Sequence, residues 1–233
     1  MENSENKSLV STGSSNLAKT EKLLSITQKI LSEIKPQYER VRIGNQEWMT
    51  RNLDVDRFRN GDLIPHIESK EEWEEAGENG QPALCYYDND PENGKKYGKL
   101  YNWHAVNDPR GLAPEGYHVP TKEEWISLVE YLGGKGIAGH KMKSVKSWDE
   151  WNNQDIEFQD GNGDNSSGFN ALPGGFRYQD GFFGFIRIFA MFWSATEDGS
   201  VNAWIRNLNH SSSYAHWGIE SKKLGASVRC LRD

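Results

Sequence analysis

The chain has 233 residues and a net charge of −7, enough length for one large domain or two small ones. An acidic chain whose basic residues are scattered argues against nucleic acid as a partner and against steering toward an anionic membrane, and no stretch reaches the ~20 apolar residues of a membrane-crossing helix. Nine Trp, nine Tyr, nine Phe and 23 Gly fit a loop-rich fold with an aromatic core better than a helical bundle, which would carry more Leu and Ala.

Residues 1–15 are rich in Ser and Asn and are expected to be disordered. They contain no basic segment followed by an apolar one, so no secretory signal is read there. Synthesis in the cytoplasm is expected, and both staying there and incorporation into a virion or other particle remain open. Residues 16–36 read as a helix ended by Pro36. Leu17, Leu24, Leu31 and Ile34 recur at heptad-like spacing beside Leu23, Ile26 and Ile30. Two readings stay open: a helix packed on its own domain, or a short coiled coil that joins copies or tethers a partner.

The texture changes at Val41. VRIGNQEWMTRNL reads as a hairpin around a Gly-Asn turn. SKEEWEEA allows a short helix, and ALCYYDNDPENGKKYGKLYNW reads as two strand-like pieces flanking a turn-rich loop. PTKEEWISLVEYLGG carries the clearest helix of this part: Thr121 and Glu124 have capping-box spacing. Trp125, Leu128, Val129 and Leu132 share one face, and Gly133 and Gly134 end it. A weaker helix is read over 137–144, and DGNGDNSSG (160–168) as loop. Short strands and turns fill the last 65 residues. This order indicates an α+β fold.

Six ordered phrases, IGNQEWMTRNL, YGKLYNWHAV, APEGYHVPTKEEW, GFNALPGGFR, FWSATE and GASVRCLRD, together resemble the Fibrobacter succinogenes major paralogous domain, from about residue 41 to Asp233. The resemblance implies a C-type-lectin-like fold, related to that of the formylglycine-generating enzymes, over residues 37–233, behind the N-terminal helix. It also implies a C-terminal ligand face. Some relatives are variable proteins of diversity-generating retroelements, which bind ligands and do not catalyse. The family often has Cys before its PxGWHxPT phrase; here that position is Ala113, which leaves Cys230 without its usual partner. Two cysteines are in any case few for a stapled secreted domain, so Cys85 and Cys230 are expected as free thiols, with one bridge left open.

Between the scaffold-like phrases lie YQDGFFGFIRIFAM and NHSSSYAHWGIESKK. The resemblance makes Tyr178, Asp180, Phe182, Phe183, Phe185, Ile186, Ile188, Phe189, Met191, Ile205, Asn207, Asn209, His210, Ser212, Tyr214, His216 and Trp217 the candidate contact positions. Their composition suits recognition: aromatic rings supply rigid contact area, while Asn and Ser supply adaptable hydrogen bonds. Read as one extended strand, Phe182–Phe192 puts Phe183, Phe185, Arg187, Phe189 and Met191 on one face. Phe182, Ile186, Ile188 and Phe192 then share the other. An exposed apolar run of this kind marks a binding patch; the competing reading is a structural or assembly domain that buries the run in a subunit interface.

Catalytic and metal chemistry find little footing. Asp88, Asp90 and Glu92, and again Asp160, Asn162 and Asp164, alternate as calcium ligands do, but lack the closing Glu of an EF-hand. Asx-rich turns are the preferred reading, with structural calcium an open alternative and no other cofactor expected. The six histidines (His66, His104, His118, His140, His210 and His216) show no zinc spacing. Among them, His118 is read as a scaffold residue. The cysteine pair of a formylglycine-generating oxidase is missing, as are a nucleophile elbow and a phosphate loop. The expected function is non-catalytic binding of a protein or glycan.

Overall fold

The computed structural model describes residues 19–25, 38–151 and 160–233. The chain divides into two units, Met1–Tyr38 and Glu39–Asp233. In the first, residues 19–25 form helix α1. The rest of the expected 16–36 helix and the expected disorder of residues 1–15 lie outside the described residues.

The second unit is a mixed α+β fold. β1 (Arg40–Ile43) and β2 (Gln46–Met49) form the expected hairpin, pairing Val41 with Trp48 across the Gly44-Asn45 turn. β11 (Leu231–Arg232) pairs with β2 and with β5 (Tyr117–His118), giving a sheet of order β1-β2-β11-β5. α2 (Lys70–Glu78) opens on Ser69, whose side chain accepts from the Glu72 amide. β3 (Leu84–Cys85) and β4 (Leu100–Tyr101) pair as a two-stranded sheet.

The segment between β3 and β4 departs from the sequence reading. It holds helix α3 (Pro91–Tyr97) where a loop was expected, and α4 (Trp103–Val106) follows β4. The cause is local. Asp90 accepts from the Glu92 amide at 2.9 Å, and Pro91 occupies the first turn, where its missing N–H costs nothing. Asn102 likewise caps α4 through the Ala105 amide.

α5 (Lys122–Tyr131) carries the full capping box between Thr121 and Glu124, worth about 1 kcal/mol by analogy with other N-caps. α6 (Lys135–Met142) follows. β6 (Gly174–Arg177), β7 (Phe183–Ile186), β8 (Phe189–Asp198), β9 (Asn202–Asn209) and β10 (Ala215–Ser221) make a five-stranded sheet of order β10-β9-β8-β6-β7. β8, β9 and β10 are long and closely registered, so the short strands expected at this end are corrected.

The main core joins β2, α5 and one face of this sheet. Trp48 and Trp125 pack at 4.6 Å, and Phe169 meets Phe192 edge to face at 5.8 Å. All four rings are fully buried. A second core gathers Trp73, Tyr87, Leu100 and Cys85. Cys85 and Cys230 are both buried and free; burial pushes each thiol up to about 12.

His118 joins the C-terminal strand to α5. Its Nδ1 lies 2.7 Å from Asp233 and its Nε2 2.9 Å from Glu124, the residue that closes the capping box. Burial acts to lower its pKa, but the bonds to Asp233 and Glu124 together outweigh it, and the net direction is up. A histidine pKa raised by folding contributes stability that is complete below its unfolded value and lost as pH rises through its folded value. Wild type should therefore lose more stability than His118→Gln between pH 5.5 and 8.5, read as the change in urea midpoint. Equal changes in the two proteins would show that the bridge is not a charged one. The comparison with the variant is needed because burial lowers the pKa of His104, which acts in the opposite sense.

Candidate ligand-binding face

The apolar run 182–192 is not the single strand that the sequence suggests. β7 ends at Ile186, residues 187 and 188 turn, and β8 begins at Phe189. The reversal is built from two non-glycine residues in the left-handed region, Phe185 (φ 64°) and Arg187 (φ 68°). Ile188 N–H donates to the Phe185 carbonyl at 3.1 Å, and Arg187 N–H donates to the Pro173 carbonyl at 2.8 Å. A bulky residue at positive φ stores about 1–3 kcal/mol. The same reversal rearranges the expected faces. Phe183 and Ile186 turn inward onto the second core, while Phe182 and Phe185 are exposed.

Four rings gather on the outward side. Phe176 stacks on Phe185 at 5.5 Å and 16°, and Phe189 meets Phe185 edge-on at 5.3 Å. Tyr178 lies 4.9 Å from Phe176. Next to them, Met191, Asn207 and His216 form one row across β8, β9 and β10. The rings, Met191 and Asn207 wall an open cleft of about 470 Å³, completed by Gln179, Asp180, Glu220, Ser221 and Leu224. Six expected contact residues meet in it: Tyr178, Asp180, Phe185, Phe189, Met191 and Asn207. Phe182 stands apart, with the Lys70 Nζ 3.2 Å above its ring.

Other expected contacts are placed elsewhere. Ile205 is fully buried and cannot touch a ligand, because it packs where Gly218 leaves room for it. Ile188 is half-buried in the reversal. Asn209 accepts from the amide and hydroxyl of Ser211, and His210 Nδ1 lies 3.2 Å from the Asp149 carbonyl. Ser212 accepts from the Tyr214 amide. Tyr214 stacks on His216 at 5.3 Å, and Trp217 lies 3.7 Å from the Arg206 guanidinium. Tyr214, His216 and Trp217 line a second cleft, of about 600 Å³, against Ile126 and Val129 of α5. Nine of the seventeen candidates thus divide between two clefts, six in the first and three in the second, and the other eight line neither.

Five cleft residues escaped the sequence reading, Phe176, Gln179, Glu220, Ser221 and Leu224, three of them for identifiable reasons. Phe176 lies inside a scaffold-like phrase. Leu224 and Glu220 fall in or beside a candidate interval, where aromatic and Asn/Ser positions drew attention first. Glu220 alternates with His216 and Gly218 along β10, the period-2 signal that places it on this face. Burial raises its pKa. The Asn207 amide oxygen is buried without a hydrogen-bond partner.

The acidic loops are occupied by their own backbone. Asp160 accepts from the Asn162 amide and Asp164 from the Ser166 amide, both as Asx turns. Among the described residues, no group of three or more His, Cys, Asp or Glu is placed to hold a metal ion, and no helix is long and apolar enough to cross a membrane.

Residues 41–232 match the family model of the Fibrobacter succinogenes major domain. No curated protein matches the chain.

Proposed function

Because the chain belongs to the Fibrobacter succinogenes major domain family, we propose that it is a non-catalytic binding protein with a C-type-lectin-like fold. It presents the C-terminal aromatic cleft to a protein or glycan, as the variable proteins of diversity-generating retroelements do. The observation that carries this reading is Phe185, a large ring held both exposed and in the left-handed region, at the centre of four packed aromatics. Strain and exposed apolar surface both cost free energy, and they persist together where a surface is kept for contact.

Copies of the gene from its source community test the proposal. Substitutions should concentrate at cleft positions such as Tyr178, Phe185 and Asn207. They should spare Gly175, Arg177 and Arg229, which hold the sheet and the core together. Substitutions spread evenly over 41–232 would remove diversification from the proposal. The assembly reading is separated by light scattering. Phe185→Asp with Phe189→Asp should leave the molar mass unchanged, whereas dissociation of an oligomer would make the cleft a subunit interface.

A further inference from the structure

The cleft is one-sided in charge. Glu220 and Asp180 line it, and among the described residues no Lys, Arg or His does. Glu220 is half-buried and makes no hydrogen bond or ion pair among the described residues. Three other partly buried carboxylates are answered: Asp108 by Arg110 at 2.9 Å, Glu124 by His118 at 2.9 Å, and Glu47 by Arg232 at 2.7 Å. Asn207 lines the same cleft four residues along the ladder from the partner of Glu220, but its amide oxygen is buried and out of a ligand's reach. A carboxylate drawn partly out of water without a partner is costly. That deficit lies on the cleft and would be met by a cation that carries several N–H donors.

The walls point the same way. The exposed rings of Phe185 and Tyr178 attract cations through their quadrupoles. A guanidinium fits better than an ammonium, because it is planar, stacks on rings and can bridge two acceptors at once. The fold already uses this pairing internally: Arg206 lies 3.7 Å from the Trp217 ring, Arg229 4.4 Å from Phe169, and Arg177 4.5 Å from Trp73. The cleft supplies the rings and the acceptors and lacks only the guanidinium. It is open to solvent, which suits a side chain that arrives on a partner's backbone.

We propose that the cleft receives an arginine side chain of a protein partner, stacked on Phe185 and hydrogen-bonded to Glu220. This rests on the binding-face reading above and names the chemistry of its ligand.

Amide-resonance titrations of the full chain with N-acetyl-arginine amide, N-acetyl-lysine amide, N-acetyl-norleucine amide and a methyl glycoside test it. The arginine probe should give saturable shifts at Phe185, Asn207 and Glu220, with affinity about tenfold above that of norleucine, the scale of one charge-assisted contact. Glu220→Gln should remove most of that advantage. It should also raise the thermal midpoint at pH 7, because an unanswered charge is gone. Equal binding of the norleucine amide or the glycoside at the same residues would overturn the cation and leave the binding face standing. If no probe shifts the cleft resonances, both readings fall. A Glu220→Gln variant that binds arginine as wild type does would overturn the assignment of Glu220.

Discussion

Arg229→Leu is expected to cost about 3–5 kcal/mol, the usual result of breaking a buried charged network from one side. Against a native stability of roughly 5–15 kcal/mol, that removes much of the margin. Arg229 is fully buried, and burial pushes its guanidinium down to about 9. Among the described residues no carboxylate answers it. Its compensation comes from oxygen dipoles: Nη1 donates to the Phe169 carbonyl at 2.5 Å and to the Met49 carbonyl at 3.0 Å. Nη2 and Nε both donate to the Asn52 side-chain oxygen, at 2.7 and 3.1 Å.

The Phe169 ring packs 4.4 Å from the charge. One side chain thus links β2, the segment before β6 and the segment that leads into β11, parts far apart in sequence. Leucine fills part of the volume and leaves three acceptors unanswered, each a desolvated group without a donor. Lysine keeps the charge but has one nitrogen where the network needs three, so Arg229→Lys should recover only part of the loss. Urea unfolding at constant slope measures both variants. A loss below about 1 kcal/mol for Arg229→Leu, within the range of ordinary surface substitutions or little beyond it, would mean that water replaces the guanidinium.

Arg229 also shows where the sequence stops being informative. Its surroundings, GASVRCLRD, identify the family phrase, but arginine ordinarily reads as a surface residue. Only the three-dimensional meeting of Met49, Asn52 and Phe169 reveals the socket. Local signals did better. The hairpin at 41–49 was announced by its Gly-Asn turn, and α5 by Thr121, Glu124 and the apolar positions between 125 and 132, because each rests on contacts within a few residues. α3 was missed even though Asp90-Pro91 is a helix-opening pair, since a dense run of Asn, Asp and Gly reads first as a turn. The 182–192 run was misjudged for a different reason. Its reversal needs positive φ at Phe185 and Arg187, and neither residue type signals that. Tertiary bonds such as Arg187 to Pro173 impose the turn. The candidate face was legible as a region, through the family phrases that bracket it, but not residue by residue. Ile205 and Asn207 are two apart on one strand, yet one is sealed and the other lines the cleft, because what covers a sheet face is decided by distant segments.

Gly175→Ala is expected to cost about 2–4 kcal/mol, the sum of strain at positive φ and overpacking. Gly175 lies where β6, β7 and the start of β8 come together. It pairs with Ala190 of β8, while its neighbours Gly174 and Phe176 pair with Ile186 and Gly184 of β7. Its φ is +64°, and a Cβ there would stand 2.6 Å from both the Gly184 carbonyl oxygen and the Tyr87 ring. Backbone cannot yield as a side-chain tip can, so β7 must move. Gly199→Ala is the control: its φ is +75°, but nothing lies within 4 Å of an added Cβ. It should therefore lose only the strain component, about 1 kcal/mol. The difference between the two variants, read by urea unfolding, isolates the clash; equal losses would mean that the crossing adjusts freely. The consequence reaches the face directly. Phe176 is the next residue along β6, and Phe185 lies on the strand that must shift, so their 5.5 Å stacking cannot survive a displaced β7. Gly175→Ala should weaken the near-ultraviolet circular dichroism of the aromatic cluster, whereas Gly199→Ala should leave it intact, which ties the geometry of the cleft to one glycine in the LPGGFR phrase.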